Sequence, residues 1–207
     1  MPSFHKILDL CSSLSQNFPH LVFIGGVAVY LHALARASSA VKPEASHDAD
    51  LMISFLDYGV LKDEAEITHN KRLAKHQMIV DDIELDVYVE HLNNLIVPYD
   101  EVFMHSTEVE GTRVACLEHL LILKLEAFKT RGSSGKGEKD RRDVAKIGLL
   151  LGRHADASLL SPYLRSELIS LLEKVAKSSV FFELCSHNAH AAKKARSSFE
   201  AFLSGLA

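Results

Sequence analysis

The chain has 207 residues, 47% of them hydrophobic and 24% charged, with a formal net charge of −4. This is one domain, or one core with an appended subdomain, long enough to bury a sizeable core. No apolar run approaches the roughly 18 residues of a membrane-spanning helix, so no membrane association is expected. The three cysteines (Cys11, Cys116 and Cys185) are odd in number and widely spaced. They read as reduced thiols, and with no signal-peptide pattern at the N-terminus the expected compartment is the cytoplasm.

The spacing of Phe4, Ile7, Leu8, Cys11 and Leu14 predicts a helix over 4–16. Leu21-Val22-Phe23-Ile24 is a short apolar strand ended by Gly25-Gly26, and 27–37 reads as a helix. Residues 38–46 form a loop, 48–54 a strand and 57–66 a short helix. Residues 71–80 and 83–90 form a hairpin around Asp81-Asp82, and 106–109 with 112–116 a second one around Glu110-Gly111. From Leu117 the character changes. Residues 117–130 are strongly helical, 131–138 read as a mobile loop, and 139–151 with most of 156–204 are helical again. The charge changes with it: residues 1–116 carry a balance of −9 and residues 117–207 one of +5. The fold class expected is α+β (α/β), a mixed sheet flanked by helices and followed by a helical subdomain.

The chemistry concentrates in His47-Asp48-Ala49-Asp50-Leu51-Met52-Ile53. Strand side chains alternate faces, so Asp48 and Asp50 project to the same side, roughly 6–7 Å apart. Like charges held so close are unfavourable unless something positive lies between them, and a divalent cation with oxygen ligands answers that need. Asp86, in the alternating run Ile83-Glu84-Leu85-Asp86-Val87, supplies a third carboxylate. Upstream, Gly25-Gly26 between a strand and a helix lets a ligand approach the backbone, and the helix N-terminus that follows suits phosphate.

Together, Gly25-Gly26, Asp48-x-Asp50 and Asp86 resemble the nucleotidyltransferase superfamily, the fold of DNA polymerase β. Lys124, Arg131, Lys139-Asp140 and Asp143 further resemble the AbiEii-type members, the abortive-infection and type IV toxin–antitoxin toxins. The resemblance spans roughly residues 21–150. His47 departs from it, standing where that pattern often has threonine or another small residue. It implies transfer of a nucleoside monophosphate from an NTP to an acceptor hydroxyl, with one or two Mg²⁺ ions on Asp48, Asp50 and Asp86. Asp48, Asp50, Asp86 and Lys124 are then catalytic, and Gly25, Gly26, Lys124, Arg131, Lys139 and Asp143 bind nucleotide. It also implies a nucleotidyltransferase core over 1–116 and a helical subdomain over 117–207 that completes the nucleotide site. Three settings stay open: a toxin acting on tRNA, a non-catalytic NTP- or RNA-binding module with an antitoxin partner, and an antibiotic-type enzyme with a small-molecule acceptor.

Lys124 has two readings. It interrupts the apolar face of Leu117, Leu120, Leu121 and Phe128, and Asp143 interrupts the face of Ile147 and Leu150. A Lys124–Asp143 ion pair tying two helices together is one; Lys124 on a triphosphate, oriented by Asp143, is the other. Other chemistries lack their patterns. Gly132 to Lys139 fails the Walker spacing, although Arg131, Lys136 and Lys139 are local cations. No His-Glu-x-x-His, Cys-x-x-Cys or Gly-x-Ser-x-Gly occurs.

Overall fold

The computed structural model describes residues 3–36, 41–70, 75–132 and 134–206. The chain divides into two units, Met1–Ala35 with Pro43–Cys116, and Arg36–Lys42 with Leu117–Ala207.

In the first unit, among the described residues, seven strands form one mixed sheet: β1 (Leu21–Ile24), β2 (Ala49–Ile53), β3 (Ile67–Asn70), β4 (Lys75–Val80), β5 (Ile83–Val89), β6 (Thr107–Val109) and β7 (Thr112–Val114). Their order is β3-β4-β5-β2-β1-β7-β6. β2 runs antiparallel to β1 and parallel to β5, and β1 runs parallel to β7. Helices α1 (Phe4–Asn17), α2 (Gly25–Ala35), α3 (Phe55–Glu64) and α4 (Tyr99–Met104) belong to this unit.

The register sorts the central strands into two faces. Phe23, Leu51, Val87 and His76 are successive partners on one of them, and Leu85 pairs with Ala49 and Met78 there. Nearly all of that face is buried apolar surface, which drives strand association through the hydrophobic effect. Ile24, Asp50, Asp86 and Gln77 are successive partners on the other. The same strands that bury a hydrocarbon face therefore line up two aspartates and a glutamine side by side.

Both expected hairpins are present. Asp81 and Asp82 both have positive φ (50° and 64°), as do Glu110 and Gly111 (49° and 71°), the backbone a two-residue type I′ turn requires. The strand expected over 71–80 is seen as Lys75–Val80; 71–74 lie outside the described residues, as do 37–40 of the helix and loop expected after Val27. Two elements are additional to the expected set, the strand β3 and the six-residue α4.

The second unit is helical: α5 (Leu117–Arg131), α6 (Gly135–Leu151), α7 (Ala157–Leu160), α8 (Ser166–Lys177), α9 (Val180–Leu184) and α10 (Ala189–Ser204). Its core includes Leu120, Leu121, Leu125, Ile147, Leu172, Phe181, Phe199 and Phe202. The phenylalanines meet as tilted ring pairs, Phe181 with Phe199 at 5.3 Å and Phe199 with Phe202 at 5.6 Å between centroids.

One expectation is corrected here. Residues 135–138 are the first turn of α6, not part of a loop, because Ser134 caps that helix by accepting a hydrogen bond from the Gly137 amide at 3.1 Å. One glycine serves close packing: a Cβ at Gly137 would lie 1.9 Å from the Gly132 carbonyl oxygen, so Gly132 sits tightly against the helix start. Residue 133 is outside the described set.

No described helix is long and apolar enough to cross a membrane.

Candidate functional site

In the first unit the site candidates converge on the end of β1. The chain leaves Ile24, adopts φ +72° at Gly25 and enters α2. Ile24 is the register partner of Asp50, whose carboxylate reaches the turn. A Cβ built on Gly25 would lie 2.1 Å from Asp50 Oδ2, so only glycine admits the carboxylate there, and its positive φ independently favours glycine. Gly25, Gly26 and Asp50 are half-buried. Asp48, just before β2, accepts a hydrogen bond at 2.9 Å from the hydroxyl of buried Ser46.

Asp86 is the direct partner of Asp50 on the parallel neighbour β5. It is buried, and it has company from β4. The Lys75 ammonium pairs with Asp86 Oδ2, and Gln77 Nε2 donates to Oδ1 at 3.0 Å. Gln77 Nε2 also donates to Glu84 Oε1 at 2.6 Å, and Asn70 Nδ2 donates to Gln77 Oε1 at 2.9 Å. Sequence reasoning missed Lys75 and Gln77. A two-residue turn at Asp81-Asp82 makes Val80 and Ile83 partners, and counting outward from it places Gln77 opposite Asp86 with Lys75 on the same face two residues on.

The donor set of Asp48 and Asp50 is all hard oxygen, which suits Mg²⁺, and Asp50 lies at a backbone turn bare of side chain. Asp86 already answers to an ammonium and an amide. Among the described residues no group of three or more His, Cys, Asp or Glu side chains is gathered as a metal cage. The chemistry of the residues therefore fits an ion at Asp48 and Asp50, with Asp86 engaged by β4.

In the second unit Lys124 of α5 reaches α6. Its ammonium lies 2.8 Å from Asp143 Oδ2 and 3.4 Å from Asp140 Oδ1. Arg131, in the last turn of α5, places Nη1 2.9 Å from Asp140 Oδ2, and Lys146 Nζ is 3.9 Å from Asp143 Oδ1. Asp140, Asp143 and Lys146 follow one another at i, i+3 and i+6, so they form one stripe of α6, and all three are buried. Lys139 sits one residue off that stripe and is half-buried. Asp140, of the Lys139-Asp140 pair, is a member of this ion-pair network. The ion pair between Lys124 and Asp143 is present, and it is equally the geometry that would orient Lys124 toward an anion.

No protein-family model matches the sequence, and no curated protein matches it significantly. Solved structures do match its fold. JHP933 from Helicobacter pylori superposes with a TM-score of 0.53 over 98% of this chain and 91% of its own, at 16% identity. An H. pylori protein described as a candidate nucleotidyltransferase gives a TM-score of 0.54 over 98% of this chain and 94% of its own, at 15% identity.

The chain has the nucleotidyltransferase fold. At these identities the likeness is one of fold, and the roles of individual residues have to be argued from their geometry.

Proposed function

We propose that this chain is a divalent-cation-dependent nucleotidyltransferase that moves a nucleoside monophosphate from an NTP to an acceptor hydroxyl. The observation that carries the reading is the Asp50 carboxylate seated against Gly25, in register with Asp86 on the adjacent strand. Asp48 and Asp50 hold Mg²⁺, which when bound neutralises phosphate charge and favours in-line displacement. The bare backbone at Gly25 and Gly26 and the free amides opening α2 receive phosphate oxygens. Asp86, a carboxylate held in place by Gln77 and Lys75, accepts the proton of the attacking hydroxyl. In the second unit Lys124, held by Asp143 and Asp140, is a cation suited to binding phosphate, with Arg131 and Lys139 as further cations of that unit. The acceptor is either a tRNA, as for a toxin with an antitoxin partner, or a hydroxylated small molecule.

The test is to incubate the chain and Mg²⁺ with each α-labelled NTP, with tRNA and with hydroxylated antibiotics as acceptors. Label is expected on one acceptor class, reduced on the order of 10²–10³-fold by Asp50→Asn. Transfer that persists in both Asp48→Ala and Asp50→Asn overturns the site, and label arriving from the γ position instead identifies a kinase.

One observation favours a second reading, a nucleotide-binding module without transfer: Asp86 is already paired with Lys75. A Mg²⁺-dependent rise in melting temperature with NTP, without transfer to any acceptor, selects it.

A further inference from the structure

Lys75 is the first residue of β4, and its side chain is only 10% exposed, as is that of Asp86. An ammonium is rarely buried without a partner. Here the partner is a residue that the family resemblance assigns to metal binding. The two donors on Asp86 are not incidental neighbours. Gln77 is fixed by Asn70 on one side and Glu84 on the other, and the β4–β5 register holds Gln77 opposite Asp86. One carboxylate oxygen faces the ammonium and the other faces the amide. A divalent ion on Asp86 Oδ2 would meet a positive charge within a few ångströms, an arrangement as unfavourable as two carboxylates sharing one site.

We propose that Lys75 supplies the positive charge at the third carboxylate, so that this site takes one divalent ion, on Asp48 and Asp50, where three free carboxylates would take two. This rests on the nucleotidyltransferase reading and deepens it. Asp86 is kept oriented by the protein's own ammonium, independently of metal supply. It is a positioned carboxylate beside the ion rather than a ligand bridging a pair of ions.

The test counts ions on the full chain. Mn²⁺ is titrated alone and with the α,β-methylene analogues of the four NTPs, with bound ions counted by electron paramagnetic resonance. The wild type is expected to saturate at one magnetically isolated ion per chain. Lys75→Met and Lys75→Gln are expected to take two, with the spin coupling of ions about 3.5–4 Å apart, while Lys75→Arg stays at one. Two coupled ions in the wild type overturn the inference and leave the nucleotidyltransferase reading standing. So does a count of one in both neutral variants when their melting is cooperative. A wild type that binds neither Mn²⁺ nor any analogue overturns the inference and that reading together.

Discussion

In the first unit one ammonium, Lys75, meets one carboxylate, Asp86, across neighbouring strands with Gln77 on its other oxygen, whereas in the second Lys124, Arg131 and Lys146 gather around Asp140 and Asp143 on two helices. The strand pair joins residues 11 apart in sequence, brought together by a tight turn, so little loop entropy opposes it. The helix network couples α5 to α6, and each of its carboxylates serves two cations. Buried polar networks of this kind respond to the loss of one member as a unit. A pair can be exchanged for hydrocarbon of similar volume at little cost, and a network cannot be altered at one position without stranding the rest.

The largest expected effect follows from that difference. Asp140→Ala removes the shared partner of Lys124 and Arg131 at a position only 1% exposed. It should destabilise the chain by about 3–5 kcal/mol, read as a shift of the urea midpoint at unchanged slope. A loss below about 1 kcal/mol would show that Asp143, 2.8 Å from the Lys124 ammonium, satisfies it without Asp140.

Gly25→Ala comes next. Its φ of +72° costs an L-residue roughly 1–2 kcal/mol, and the new Cβ displaces the Asp50 carboxylate. Metal affinity should therefore fall by more than stability does. Equal Mn²⁺ affinity in the variant would separate Asp50 from the ion.

The double replacement Lys75→Met with Asp86→Leu tests the strand pair from the other side. It should leave stability within about 1 kcal/mol of the parent, while Asp86→Leu alone strands a buried ammonium and costs clearly more than the double replacement. Additive single effects would mean that the two side chains do not interact.

The smallest effect is expected for Arg131→Ala. Its side chain is 45% exposed, so its pairing with Asp140 is screened and contributes under about 1 kcal/mol. The effect should vanish in high salt, and a salt-independent loss would show that the pairing with buried Asp140 escapes screening.

Much of the fold was legible because its signals are local. Four consecutive apolar residues at 21–24, the alternation through 83–89 and the two hairpin turns report their own conformation. β3 was not, since Ile67–Asn70 carries no buried residue and no alternation; it is an edge strand held by pairing with β4 alone. α4 is six residues long and follows Pro98 without a side-chain cap. Gly137 reads as slack in a glycine-rich stretch, yet its bare Cα admits the Gly132 carbonyl. At the candidate site, Asp48, Asp50 and Asp86 stand out because carboxylates in apolar strands are costly. Lys75 does not, because a lysine before His76-Gln77 looks like any surface lysine until strand register sets it beside Asp86. Asp140 was in view and passed over for Lys139, since composition alone does not say which of two adjacent charges turns inward.

The turn at Asp81-Asp82 gives this chain an uneven tolerance to change. Asp, Asn and Gly tolerate positive φ and interchange there, so side-chain identity at the turn is free within that small set. Its length is not. Strand faces alternate with every residue, so one inserted or deleted residue that shifted the β4–β5 pairing would rotate Lys75 and Gln77 away from Asp86 and present His76 in their place. Variation by substitution should pass through this corner of the protein easily, and variation by insertion or deletion should be filtered out, without any residue of the carboxylate set having changed.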